Sequence, residues 1–94
     1  MFDAQEAYAK GLIGKALPEE GFMDAVLKQA GKIAEGAPLT LKQVKFALAQ
    51  IAKDPETREL DEAERLFQLC YASEDYREGI RAFAEKRKPM FEGR

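Results

Sequence analysis

The sequence contains no histidine and only one cysteine among its 94 residues. The absence of histidine removes the commonest general base, the commonest metal ligand and every Ser-His or Cys-His catalytic arrangement. A single cysteine, Cys70, excludes a disulfide within the chain and fits a reducing compartment, so we expect a cytoplasmic location. Any chemistry in this chain would therefore have to come from carboxylates, lysines or backbone amides.

Long apolar runs and an excess of charge of one sign are also absent. No stretch is long and apolar enough to span a bilayer, and the N-terminus has acids before its first lysine and no apolar core, unlike a secretory signal. The net charge is -2 with acids and bases interspersed, so no basic field points to nucleic acid. We expect neither a membrane nor a nucleic acid as a partner, and the absence of any metal-binding motif predicts no metal site.

The residues that are present favour helix. Hydrophobic residues make up 46% and charged residues 34% of the chain, a balance typical of a small ordered domain. Ala, Leu, Glu, Lys, Gln and Arg dominate, whereas β-branched residues are sparse. The composition predicts an all-α fold of about five helices with one short extended link. Residues 1–94 would form a single helical domain, in which residues 1–17 are a helix plus the link and residues 18–94 a helical bundle.

Caps, glycines and prolines set the expected limits of these helices. Asp3 and Ser73 are suitable N-caps for the first and last helix, and Gly11 is placed to end the first one in a left-handed turn. Pro55 ends the third, because the residue before a proline is driven out of the helical region. The predicted helices cover residues 3–10, 18–35, 38–53, 60–72 and 74 to 86 or 87, and residues 12–17 form the extended link.

The four longer helices each carry apolar residues at helical spacing, which predicts their buried faces. Cys70 falls on one of these stripes, so we expect a buried and inert thiol. The stripes are Phe22, Val26, Ala30, Ile33 and Ala34 on the second helix, Leu41, Val44, Leu48 and Ile51 on the third, Leu60, Ala63, Phe67 and Cys70 on the fourth, and Tyr76, Ile80 and Phe83 on the fifth.

Three features allow either a functional or a structural interpretation. Gly79 lies inside a helix at a cost of about 1 kcal/mol against alanine, which indicates close approach by a ligand, another chain or another helix of this chain. The basic residues 86–88, near Phe83 and Phe91, either bind a phosphate and a stacked base or form a solvated helix end. The paired carboxylates lie at helix starts, where capping and solubility explain them, so we expect no catalytic residue. The pairs are Glu19/Glu20, Asp61/Glu62/Glu64 and Glu74/Asp75/Glu78.

The last third of the chain carries a specific pattern. Residues 73–91 read SEDYREGIRAFAEKRKPMF, and this segment resembles the end of enoyl-CoA hydratase/isomerase (crotonase) family enzymes, S/T-x-D-x-x-E-G-x-x-A-F-x-E-K-R-x-P-x-F. Residues 3–7 and 11–13 are similar to the family's D/S-A-x-E-A…G-L-V segment. Ile33-Ala34, Ala37-Pro38 and Lys45 resemble its next helix pair. The resemblance therefore covers the whole chain in register.

The resemblance implies the C-terminal helical region of such an enzyme, which mediates trimer or hexamer formation and caps the acyl-CoA site, without the ββα spiral core that performs catalysis. By position, Phe83 and Lys86 would hold the adenine and 3'-phosphate end of coenzyme A, and Phe67 would lie near the CoA or acyl tail. The complete protein would hydrate a 2-enoyl-CoA, with the thioester as substrate and no further cofactor, and this chain alone would be inactive. A stand-alone helical interaction module and an acyl-CoA carrier remain as alternatives.

Overall fold

The computed structural model describes all 94 residues and contains helices and loops but no strand. The predicted all-α fold is therefore confirmed, and the link at residues 12–17 forms bends and irregular chain. No helix combines the length and the apolar character needed to cross a membrane. The helices are α1 (Ala4–Ala9), α2 (Phe22–Ala34), α3 (Pro38–Ile51), α4 (Leu60–Ala72) and α5 (Glu74–Glu85), with a 3₁₀ turn at Pro55–Thr57.

Side-chain caps begin the first and last helices, as the sequence predicts. The Asp3 carboxylate accepts a hydrogen bond from the backbone N–H of Glu6 at 2.9 Å. The Ser73 hydroxyl accepts one from the backbone N–H of Tyr76 at 3.1 Å. Each bond satisfies one of the N–H groups that a helix start leaves without a partner. Just after α1, Gly11 takes a φ of +78°, the left-handed conformation expected of it.

Two helix limits differ from the prediction because single residues leave the right-handed region. α2 begins at Phe22 rather than at residue 18, since Gly21 has a φ of +76° that no α-helix includes. α5 ends at Glu85, since Lys86 itself is left-handed at φ 55°. A left-handed lysine is less predictable than a left-handed glycine, because its Cβ makes the conformation costly.

The third limit is set by a side chain from the following loop. α3 ends at Ile51, before the predicted residue 53. The guanidinium of Arg58 donates to the carbonyl oxygens of Ile51 and Lys53, both at 3.2 Å. Carbonyls at a helix end have no partner within the helix, so these bonds stabilise the termination.

The chain divides into two compact units, residues 1–33 and residues 34–94. In the first unit Ala7 is the only buried residue. α2 has no buried residue, and Phe22 and Ile33 on its predicted stripe are 46% and 53% exposed. The predicted buried face of α2 is therefore wrong within this chain, because none of the residues of this helix is buried. The single helical domain over residues 1–94 stays a prediction.

In the second unit α3 packs against α4, and α4 packs against α5. The buried apolar side chains here are Leu66 of α4 and Ala82 of α5. The stripes predicted for these two helices are mostly outside this core: Leu60, Ile80 and Phe83 are 63%, 56% and 88% exposed. The prediction was wrong for these residues because apolar side chains cover a wider arc of each helix than one stripe. The buried residues, Leu66 and Ala82, lie beside the predicted stripes.

α3 also turns a different face inward from the predicted one. Leu48 and Ile51 of the predicted stripe are 59% and 67% exposed, whereas Phe46 is half-buried and Gln50 is buried. Leu39, Phe46 and Gln50 follow their own helical spacing, and at about 100° per residue they lie roughly opposite the predicted stripe. Both faces carry apolar residues at helical spacing, so periodicity alone could not choose between them.

Gln50 connects α3 to the start of α4. It is 4% exposed, and its Oε1 accepts a hydrogen bond from the backbone N–H of Glu59 at 2.8 Å. Its Nε2 donates to the carbonyl oxygen of Phe46 at 3.4 Å. Glu59 lies at the N-cap position of α4 and provides no side-chain cap of its own. The amide of Gln50 therefore fixes the turn between the two helices.

Replacing Gln50 with alanine is expected to lower the free energy of unfolding by about 1–3 kcal/mol, because the part-buried N–H of Glu59 loses its partner. Urea unfolding followed by circular dichroism measures the change. The matched control is Gln68→Ala on α4, since Gln68 bonds only to the exposed Glu64 and its loss should stay within about 0.5 kcal/mol. Equal losses in the two variants would contradict the role assigned to Gln50.

Candidate functional site

The main concavity of the second unit is an apolar hollow of about 480 Å³. It lies among α3, α4, α5 and the C-terminal residues, and its wall is mostly apolar. Apolar hollows with a few polar groups at their edges are the usual form of small-molecule sites. Its lining consists of Ala37, Leu39, Thr40, Gln43, Phe67, Cys70, Tyr71, Ser73, Asp75, Tyr76, Gly79, Ile80, Phe83 and Phe91.

The structure brings Phe67 and Phe83, two of the three predicted binding residues, to this hollow. Phe83 is 88% exposed and Phe67 is 41% exposed. The Phe67 ring meets the ring of Tyr71 edge to face, with centroids 5.1 Å apart. Lys86 is not part of the lining and lies just beyond the end of α5, one turn of helix after Phe83.

The basic residues at the end of α5 are not equivalent. Arg87 forms ion pairs with Glu78 and Glu85 at 2.7 and 2.6 Å, and the hydrogen bonds that its guanidinium donates to these two carboxylates raise its pKa. Lys88 pairs with Glu35 at 2.9 Å. Lys86 makes no ion pair and no side-chain hydrogen bond, so its ammonium is the cation of this run that is free to meet an anion.

The sequence interpretation missed the hydrogen bonds that hold the last five residues, 90–94, which we call the C-terminal strap. Asp75 is only 3% exposed. Its two carboxylate oxygens accept hydrogen bonds from the backbone N–H groups of Glu92 and Gly93, both at 2.7 Å. In return, the backbone N–H of Asp75 donates to the carbonyl oxygen of Arg94 at 2.9 Å. Capping and solubility therefore do not explain Asp75, which ties the strap to α5.

Glu78, one turn further along α5, holds the start of the strap. Its carboxylate accepts two hydrogen bonds from the guanidinium of Arg87, at 2.7 and 3.2 Å. It also accepts a longer one from the backbone N–H of Met90, at 3.3 Å. The Arg87 hydrogen bonds, followed by that of Met90, lower the pKa of the Glu78 carboxyl below its ordinary value. In the sequence, only the spacing of Asp75 and Glu78 on one helix face indicated these contacts.

The element that approaches Gly79 is the strap. A Cβ at this position would lie 3.7 Å from Cε1 of the Phe91 ring, an ordinary van der Waals distance. The approaching group is therefore the strap and not a neighbouring helix, which corrects the helix-packing interpretation. Cys70 also differs from expectation: its thiol is only half-buried, because it lines the hollow instead of the core.

The enoyl-CoA hydratase/isomerase family is the one whose sequence model matches this chain, over residues 1–94. With an all-helical fold and a full-length match, the chain belongs to the enoyl-CoA hydratase/isomerase family of the crotonase superfamily.

Two curated relatives come from Escherichia coli (strain K12). 2,3-dehydroadipyl-CoA hydratase is 38% identical over 91 residues, and methylmalonyl-CoA decarboxylase is 40% identical over 93 residues. These matches cover 97% and 96% of this chain but only 36% and 35% of the relatives. The chain therefore spans about a third of their length. Because two proteins named for different reactions are nearly equally similar, the similarity in this segment does not follow reaction type.

Solved structures agree with the sequence matches. An enoyl-CoA hydratase from Bacillus anthracis superimposes with a TM-score of 0.82 at 32% identity, covering 97% of this chain and 35% of that one. EchA1, an enoyl-CoA hydratase from Mycobacterium marinum, superimposes with a TM-score of 0.82 at 28% identity, covering 99% of this chain and 37% of that one.

The Glu78–Arg87 contact predicts a pH dependence of stability. Because folding lowers the pKa of Glu78, its contribution is present above the ordinary value of 4.5 and is lost as the pH falls through the lowered value. We expect Glu78→Gln to be less stable than the wild type near neutral pH and the gap to shrink as the solution is acidified. Chemical unfolding from about pH 6 to about pH 3 measures that gap.

The control for this titration is Glu56→Gln. Glu56 lies in the 3₁₀ turn, and its side chain makes no ion pair or hydrogen bond. Its substitution removes a carboxylate but no ion pair or hydrogen bond, so it should cost less stability near neutral pH than Glu78→Gln. A gap between wild type and Glu78→Gln that stays constant over the whole pH range would contradict the assignment.

Proposed function

We propose that this chain is the CoA-capping and oligomerisation region of an enzyme that hydrates a 2-enoyl-CoA. The observation that carries the proposal is the placement of Phe67 and Phe83 on one apolar hollow, with the unpaired Lys86 at the adjoining helix end. Isomerase, decarboxylase, dehalogenase and hydrolase activities are the alternatives within the family. Hydration is the reaction for which 2,3-dehydroadipyl-CoA hydratase from E. coli is named, and the similarly related methylmalonyl-CoA decarboxylase keeps decarboxylation among these alternatives.

The chemistry of the three residues suits the parts of coenzyme A. The Phe83 ring is almost fully exposed and offers a stacking face to an adenine. Lys86 supplies a point charge on a flexible stem, which suits a phosphate. Phe67 contributes apolar surface within the hollow, where a thioester chain would be desolvated. All three residues would bind substrate, and none of them would take part in bond making.

Bond chemistry would come from outside this segment. Asp75 is the only carboxylate that reaches the hollow, and both of its oxygens are already occupied by the strap. A base or acid must have free capacity to exchange a proton with the substrate or a water. We therefore propose that residues 1–94 act as one helical domain of the complete protein and contribute no catalytic group.

The complete enzyme is expected to lose affinity when the proposed binding residues are removed. Lys86→Ala should raise the KM for crotonyl-CoA roughly tenfold with kcat nearly unchanged, since a charge-assisted hydrogen bond is worth about 1.5–3 kcal/mol. Phe83→Ala should act in the same direction. Steady-state kinetics measures both constants.

The matched control is Lys88→Ala, which removes the same charge two positions along the chain, from a side chain already paired with Glu35. It should leave KM close to the wild-type value. A fall in kcat with KM unchanged in Lys86→Ala would count against a substrate-binding role. The isolated chain of 94 residues should not hydrate crotonyl-CoA above background, and tight binding of free coenzyme A to it would instead favour the acyl-CoA carrier.

Self-association is a second proposed role, and the open face of α2 supports it. Met23 and Leu27 are 60% and 63% exposed, and α2 has no buried residue. Contiguous apolar surface of this kind is unusual on a monomer and marks interaction sites. We propose that this face is covered in a trimer or hexamer of the complete enzyme and promotes self-association of the chain alone.

Leu27→Glu is expected to weaken association, because a charge would be buried without a partner. Sedimentation velocity over a range of protein concentrations measures the change. The control is Gln29→Glu, which adds the same charge elsewhere on α2. Loss of association in both variants would indicate a general charge effect, and a wild-type chain that stays monomeric at high concentration would rule the role out.

A further inference from the structure

We infer that Phe91 is the specificity-determining wall of the apolar hollow and that Asp75 is its positioning residue, acting through the backbone of the C-terminal strap. This inference rests on the proposed function, because it concerns the apolar group that the hollow admits. It goes beyond that function by naming what limits the size of the group.

The backbone on both sides of Phe91 is fixed by carboxylates of α5. On one side, the N–H of Met90 donates to Glu78 at 3.3 Å. On the other, the N–H of Glu92 donates to Asp75 at 2.7 Å. A residue held at both neighbours cannot swing away unless one of these bonds opens.

The strap is also held from its far end. The N–H of Gly93 donates to the second oxygen of Asp75 at 2.7 Å, and the carbonyl oxygen of Arg94 accepts from the N–H of Asp75 at 2.9 Å. Gly93 is left-handed at φ 78°, and a Cβ placed on it would lie 3.7 Å from Cβ of Pro38 at the start of α3. The strap therefore passes from α5 to the first turn of α3, along the border of the hollow.

The ring of Phe91 is the part of the strap that lines the hollow. It lies against α5 at Gly79, at an ordinary van der Waals distance from the point where a Cβ would stand. The ring thus supplies side-chain surface at a point where α5 itself carries none, and its position limits the apolar group that the hollow admits. Asp75 controls that position, because it makes three of the strap's main-chain hydrogen bonds and is itself buried.

The test first asks whether Asp75 holds the strap. In Asp75→Asn one carboxylate oxygen is replaced by an NH₂ group that opposes a backbone N–H donor. Amide exchange at Glu92 and Gly93, measured by NMR on the 94-residue chain, is expected to accelerate roughly tenfold or more. Glu92→Ala is the control, since it removes an exposed side chain and keeps the N–H that Asp75 binds. Unchanged exchange in Asp75→Asn would overturn the positioning role.

The second measurement asks whether the ring limits access, and it needs no thioester. Cys70 lines the hollow, so its alkylation by N-ethylmaleimide and by the bulkier N-phenylmaleimide reports the size admitted. We expect Phe91→Ala and Asp75→Asn to raise the N-phenyl rate several-fold more than the N-ethyl rate, with Phe91→Leu intermediate. Equal acceleration for both reagents, or no change in their ratio, would overturn the inference, since mere loosening would act on both.

The third measurement links the wall to the substrate in the complete enzyme. Phe91→Ala should move the preference in kcat/KM towards 2-enoyl-CoA thioesters with longer acyl chains, whereas Glu92→Ala should not. An unchanged preference beside an altered maleimide ratio would overturn the link to the substrate. A complete protein with no hydratase activity would refute the proposed function, and the maleimide ratio would still decide the role of Phe91.

Discussion

The arrangement of the second unit depends on two carboxylates of α5 that hold the C-terminal strap. Asp75 and Glu78 accept backbone N–H groups from a segment with no regular structure of its own. A buried carboxylate is costly unless its oxygens are hydrogen-bonded. Here the donors are backbone N–H groups of the strap, which has no helix or strand of its own to bond them. Without these hydrogen bonds nothing would hold the strap against α5, and the hollow would lose one wall.

The strap also explains why the basic residues after α5 behave differently from one another. Arg87 is drawn into the same carboxylate cluster and is no longer available to a ligand. Lys86, whose left-handed backbone ends the helix, makes no ion pair with that cluster. One cation therefore stabilises the fold while its neighbour stays unpaired, although the two look alike in the sequence.

Many large apolar side chains of this chain are exposed. α2 buries none of its residues, and the exposed faces of α3 and α5 include Ile51 and Phe83. Small domains bury a modest share of their surface, and these helices bury less than their amphipathic patterns imply. This excess fits a segment that spans about a third of the length of its curated relatives, and it gives a physical basis to the proposed assembly.

The sequence by itself determined where the helices lie. Helix ends are set largely by caps such as Asp3 and Ser73 and by the left-handed Gly11, which act over one turn of chain. Local pattern therefore located most helix ends, and both limits of α4 were predicted to the residue. The family followed from a short motif for the same reason. Tertiary structure alone decided which face of α3 is inward and what Asp75 does, because the first depends on packing against α4 and the second on N–H groups 17 and 18 residues away. Such pairings leave no periodic trace in the sequence.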